Sequence, residues 1–178
     1  MAKKSTMYIV QGAVIAAIYA VLTLGQAMIF PESVYMTVQF RVSEIMTVLA
    51  FFTPAAIPGL TIGCVISNLL SGVGPIDMII GSLASFLAAL TMYALRKVCI
   101  KGIPILGLFM PAIFNGILVG AELAFVLPMP DNTTGFMFFL FNAGCVALGE
   151  LVVLFVLGLP MTIVIKKTGL HEKLFKIK

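Results

Sequence analysis

The chain has 178 residues, 61% of them hydrophobic and only 10% charged, with a formal net charge of +4. A soluble core of this size cannot hide that much apolar surface, so the composition excludes a soluble globular protein and indicates a membrane protein. At about 20 residues per crossing the length accommodates about six spans and excludes a separate soluble domain.

The apolar runs cover 8–30, 36–53, 56–72, 76–95, 103–127 and 136–165, predicting one integral, all-α membrane domain over 1–178. The first run follows Lys3 and Lys4, lacks a convincing signal-peptide cleavage site and is expected to stay as a helix. Within it "GAVIAAIYA" sets Gly12, Ala16 and Ala20, and also Ala13 and Ala17, at four-residue spacing. Small residues so spaced make a smooth face for close backbone approach, whether of a neighbour inside the bundle or of a partner. The second run, "TVQFRVSEIMTVLAFF", opens with Gln39, Arg41 and Glu44. The third carries Asn68 near its end, and Asp77 follows "SGVGP" at the start of the fourth. Asn115 and Glu122 lie in the fifth run, Asn142 and Glu150 in the sixth. "FPES", "TPAAIPG", "KVCIKG" and "PMPDNTTG" supply turn chemistry at the other breaks.

Charge fixes the count of spans. Ten of the eleven Lys and Arg residues fall in three clusters: Lys3 and Lys4; Arg96, Lys97 and Lys101; Lys166, Lys167, Lys173, Lys176 and Lys178. Cytoplasmic basic loops then require an even number of spans on each side of Arg96, which four plus two satisfies. The expectation is six helices with both termini cytoplasmic, leaving Glu32 and the 128–135 loop outside. In that frame Gln39, Arg41, Glu44, Asn68, Asp77, Glu122 and Asn142 lie toward the outer leaflet. Asn115 sits seven residues below Glu122 on the same face, and Glu150 is deeper. The inner half is almost purely apolar, so these residues predict a polar pocket open to the exterior.

Other roles compete. Arg41 and Glu44 have the spacing to pair with each other. Asp77 reads equally as a first-turn acid favoured by the helix dipole or as a ligand contact. Asn68 and Asn142 also suit interhelical hydrogen bonding. Glu150 reads equally as structural or ligand-binding. Glu122, with no charged neighbour in sequence and no helix end beside it, is the strongest functional candidate. Cys64, Cys99 and Cys145 lack CxxC spacing and read as packing residues, and His171 in its lysine-rich tail as solvated. No GxxxxGK[ST] loop, metal-ligand spacing or nucleophile elbow is present, so neither an enzyme nor a self-contained ATPase is expected, and no cofactor or metal. The two halves show no obvious inverted repeat, which weighs against a secondary transporter. That alternative stays open as a stand-alone, proton-coupled carrier of a small polar or cationic solute.

"GAVIAAIYAVLTL", "VQFRVSEIMTVLAFFTPAAIPGLTIGCVISNLLSG" and "DMIIGSLAS" together resemble the queuosine-precursor transporter (QueT-type) family, substrate-binding S components of energy-coupling factor transporters. The "QFRVSE" to "FFTPAAIPG" block is the most specific part of the likeness. The resemblance implies a six-helix S component of a prokaryotic cytoplasmic membrane that captures a 7-deazaguanine base such as pre-queuosine or queuine. It further implies a transmembrane coupling protein and two ABC-type ATPases as partners, with the first-helix face of Ala13, Ala16, Ala17 and Ala20 docking on the coupling protein. Nucleic acid is not an expected partner. Deazaguanine chemistry suits the polar set: a carboxylate accepts two N–H donors from the base edge, and a side-chain amide both donates and accepts. The aminomethyl cation of pre-queuosine wants a second carboxylate, and Tyr35, Phe40 or Phe125 are candidates to stack on the ring.

Overall fold

In the computed structural model the described residues are 2–35, 38–69, 71 and 74–175. Residues 36, 37, 70 and 72 of the predicted runs, Lys176 and Lys178, and the side chains of Lys3, Glu32 and Tyr35 lie outside them. The first run forms α1 (Ala2–Ile29), a 28-residue helix that stops before Pro31, and a short α2 (Glu32–Tyr35) follows. A ten-residue 3₁₀ segment (Val42–Phe51) precedes α3 (Ala56–Asn68). Gly74, at φ +82°, and Pro75 open α4 (Pro75–Leu95). Only glycine adopts that φ cheaply, and proline's fixed φ suits the first helical turn. The short α5 (Ile105–Leu108) leads into α6 (Met110–Val126). Thr134 caps α7 (Gly135–Val153), its hydroxyl accepting from the Met137 amide at 3.4 Å. A π turn (Leu154–Gly158) joins α7 to α8 (Leu159–Lys167), and α9 (Leu170–Phe175) ends the described chain. Pro160 lies two residues after the end of the π turn. Its ring would strike the carbonyl four residues back in a regular helix, and the wider turn relieves that contact.

The fold is all-helical among the described residues, and four segments are long and apolar enough to cross a membrane: Lys4–Ile29, Pro75–Leu95, Ile105–Val126 and Gly135–Lys167. The second and third predicted runs form shorter apolar helices instead, Val42–Phe51 and Ala56–Asn68. At about 2.0 Å rise the 3₁₀ segment is roughly 20 Å long, and α3 is similar at about 1.5 Å per residue. The bilayer's hydrocarbon core is about 30 Å thick.

α1, α3, α4, α6 and α7 pack in that order, each on the next, and the 3₁₀ segment runs through the middle against α1, α3, α4, α7, α8 and the π turn. Its residues Met46, Val48, Leu49, Ala50 and Phe51 form the core with Tyr19, Leu60, Met92, Leu108 and Leu154. An element enclosed on so many sides must be apolar all round, which its sequence is apart from Ser43, Glu44 and Thr47. Glycines allow the close approaches. A Cβ on Gly59 would lie 2.7 Å from the Gly12 carbonyl oxygen, and one on Gly120 would lie 2.5 Å from Ala143 Cα.

Several contacts sort the two ends of the bundle. Lys166 Nζ donates to the Gly102 carbonyl at 2.7 Å, Gln11 Nε2 to the Leu174 carbonyl at 3.1 Å, and the Tyr8 hydroxyl to the Pro54 carbonyl at 3.2 Å. The start of α1, the 52–55 turn, the basic 96–104 loop and the chain's last described helix thus share one end. At the other, Gln26 Nε2 donates to the Phe40 carbonyl at 2.6 Å and Asn68 Nδ2 to the Asp77 carbonyl at 3.0 Å. His171 is not simply solvated: its ring lies 5.3 Å from that of Phe52, because α9 folds back over the basic end.

Candidate functional site

The end away from the lysines is polar inside. Gln26 clamps the chain as it enters the 3₁₀ segment: Nε2 donates to Ser33 Oγ (2.8 Å) and the Phe40 carbonyl, and Oε1 accepts from the Val42 amide at 2.8 Å. The preceding residues press onto α7 so closely that a Cβ on Gly149 would lie 1.9 Å from the Gln39 carbonyl oxygen. Only a glycine at 149 permits that path. It carries Gln39, Arg41 and Glu44 inward, where each is 5% exposed or less.

Arg41 is the hub. Its Nε donates to the Val34 carbonyl at 3.0 Å, and the guanidinium lies within electrostatic range of Tyr19, Cys64, Asp77 and Glu44. Glu122 is within range of Asp77 and Arg41, and Glu150 within range of Glu44 and Arg41. Acids from the 3₁₀ segment, α4, α6 and α7 are therefore all within electrostatic range of this one guanidinium. Glu44 is anchored by the Tyr19 hydroxyl, which donates to Oε1. Thr23 Oγ1 lies 2.9 Å from the Tyr19 carbonyl and 2.7 Å from Ser43 Oγ, extending the same network along α1.

Asn68 ties α3 to α4, donating to the Asp77 carbonyl and lying 3.4 Å from Asp77 Oδ1. A Cβ on Gly81 would sit 2.6 Å from Asn68 Nδ2, so the missing side chain makes room for that amide. Asn115 Nδ2 donates to Glu150 Oε1 at 3.0 Å, joining α6 to α7. The Asn142 amide donates to the Phe138 carbonyl at 2.8 Å within its own helix, a bond that does not tie it to the acids. Glu122 is 3% exposed, and among the described residues neither of its carboxylate oxygens has a hydrogen-bond partner.

Glu44, Asp77 and Glu122 are thus buried within electrostatic range of Arg41, Asn68 is bonded to Asp77, and the Gln39 backbone lies against Gly149. Asn115 joins at the level of Glu150, and Asn142 remains bonded inside α7. Arg41 and Glu44 do not form an isolated pair. Tyr19, Thr23 and Gln26 were missed by the sequence reading because a single hydroxyl or amide in an apolar run is commonplace. The stacking candidates fare differently: Phe125 is 84% exposed and Phe40 is 40% exposed, while Tyr35 lies outside the described side chains. The buried aromatic beside the acids is Tyr19. A cleft of about 570 Å³ lined by Gln26, Phe30, Ser33, Phe40 and Val42 opens beside the segment that carries Arg41.

The small face of α1 divides. Ala13, Ala16 and Ala17 line a groove of about 460 Å³ with Gly12, Pro58 and Gly59. Ala20 is buried and stands apart from that groove, and the Ala16 backbone also backs onto α3, where a Cβ on Gly63 would lie 3.0 Å from its carbonyl oxygen. A docking face of all four alanines is therefore too wide, because α3 already occupies part of it.

Residues 9–167 match the family model described as QueT transporter. A curated relative from Lactococcus lactis subsp. cremoris (strain MG1363), named Queuosine precursor transporter QueT, is 36% identical over 165 residues, covering 88% of this chain and 90% of that protein. No solved structure matches. With the match running from the first helix to the end of α8, this chain belongs to the QueT transporter family.

Proposed function

We propose that this chain is the substrate-capture subunit of an ATP-driven importer of a queuosine precursor, a 7-deazaguanine base, in a prokaryotic cytoplasmic membrane. It crosses the bilayer six times with both termini cytoplasmic. The two short helices and their flanking segments make the second and third crossings, in line with the sharing of one end by all three basic clusters. The family membership and the relative's name support the substrate class. Hydrolysis of ATP falls to two partner ATPases, coupled through a transmembrane protein that docks on the α1–α3 groove lined by Ala13 and Ala17.

One observation carries the assignment of the pocket. Among the described residues Glu122 presents two buried carboxylate oxygens without hydrogen-bond partners, within electrostatic range of Asp77 and Arg41. A deazaguanine edge offers two adjacent N–H donors that match a carboxylate bidentately, and its carbonyl suits a cation or an amide donor. The cluster is buried, so capture includes an opening, and the cleft beside Gln26 and Phe40 is where we place it.

Calorimetry on the purified chain with guanine, pre-queuosine and queuine tests this reading. Saturable binding of the deazaguanines, with guanine weaker, is expected; no binding of any deazaguanine to a folded sample would overturn it.

A further inference from the structure

An apolar groove of about 600 Å³ runs between α1 and α8, lined by Val10, Val14 and Ile18 of α1, Met46 of the 3₁₀ segment, Val164 of α8 and Leu174 of α9. The three α1 residues recur at every fourth position and form one exposed stripe along the helix. Gln11, the polar side chain in the wall, is bonded within the protein: Nε2 donates to the Leu174 carbonyl at 3.1 Å, and Oε1 accepts from the Thr53 hydroxyl at 3.2 Å. The wall thus offers an occupant almost no polar contact, so the occupant must be apolar along its buried length.

The mouth of the same groove is basic. Lys4 and Lys167 stand at the ends of Lys4–Ile29 and Gly135–Lys167, the two apolar segments that flank it. Lys4 and Gln11 are at i and i+7 on one side of α1, Lys167 follows Val164 at i+3, and Lys173 adjoins Leu174. All three lysines are exposed, against one acid, Glu172. An apolar slot within a membrane span, closed by positive charge where the span ends, matches a lipid with an anionic headgroup. A protein helix fits it poorly. Helices approach closely in a membrane across small residues, such as Gly12, Ala13 and Ala17 of the α1–α3 groove. Here the stripe is valine and isoleucine, and a flexible acyl chain conforms to that relief.

We infer that the α1–α8 groove holds an acyl chain of one anionic glycerophospholipid, whose phosphate lies against Lys4, Lys167 and Lys173. Seated there, the lipid bridges α1, α8 and α9 and stabilises the lysine-rich end of the bundle. This site is separate from the deazaguanine pocket, so the failure of either leaves the other standing.

Native mass spectrometry of the purified chain in neutral detergent, titrated with phosphatidylglycerol or phosphatidylcholine, tests the inference. One phosphatidylglycerol per chain is expected to bind saturably, at least about tenfold more tightly than phosphatidylcholine, and to raise the thermal midpoint. The double variant Lys167→Gln with Lys173→Gln should reduce that preference by at least about tenfold, at about fivefold per lysine. Val164→Trp, which fills the groove from the α8 side, should abolish the single tight lipid; if this variant does not fold, the lysine variant decides alone. Equal affinity for the two lipids, binding without saturation at one, or a preference that survives the lysine substitutions would overturn the inference. Loss of co-purification with the coupling protein in Val164→Trp, with lipid binding intact, would also overturn it and give the groove to a protein helix.

Discussion

Glu122 is buried with no hydrogen-bond donor on either oxygen among the described residues, and that shortage of partners is what a ligand with paired N–H groups would meet. Glu122→Gln keeps the volume but replaces one acceptor with a donor. Losing a charge-assisted bond and setting donor against donor costs about 2 kcal/mol or more. Affinity for every deazaguanine should therefore fall by over about tenfold, and calorimetry showing unchanged affinity would remove Glu122 from the site. Gly149 makes a different prediction. A Cβ there would enter the Gln39 carbonyl oxygen, backbone that cannot step aside without moving the Arg41 segment. Gly149→Ala is expected to lower the thermal midpoint by several degrees and weaken binding. Gly144→Ala on the same helix, with nothing within 4 Å, should do neither. At this scale the charged members of the site were legible, because an ionisable residue in a membrane run is conspicuous. Tyr19 and Gln26 were not, since only their contacts across 25 and 14 residues of sequence distinguish them.

Among the elements, the long helices follow their apolar runs to within a few residues, with Pro31, Pro75 and Thr134 marking boundaries that local chemistry explains. The second run is different. Its hydropathy announces an apolar element but not the 3₁₀ geometry, which arises where α1, α3, α4, α7 and α8 enclose it. The first-helix alanines show the same limit: four-residue spacing identifies a close-packing face, and only the position of Gly59 and Gly63 reveals which part α3 takes. Ala13 and Ala17 are exposed, and Ala20 is buried; the proposed docking surface therefore rests on the first two. Ala17→Trp should abolish co-purification with the coupling protein and uptake while the isolated chain binds ligand normally. Ala20→Trp should damage the isolated chain itself, read as loss of thermal stability and of binding. Normal uptake by Ala17→Trp would remove the docking surface from the α1–α3 groove.

For the whole molecule, the parity of the basic clusters was legible in the sequence, and the contacts of Gln11, Tyr8 and Lys166 gather the same segments at one end. The inward polar cluster occupies the other end, so the proposed capture site and the lysine-rich face are separated along the bundle axis. A capture subunit that depends on partners and a proton-coupled carrier that works alone share these buried acids; they differ in what drives transport. The most direct measurement is uptake of a labelled deazaguanine into proteoliposomes, with and without the coupling protein and its two ATPases. Accumulation that requires the partners and internal or external ATP at their nucleotide-binding side is the predicted result. Accumulation by this chain alone, driven by an imposed proton gradient, would contradict it.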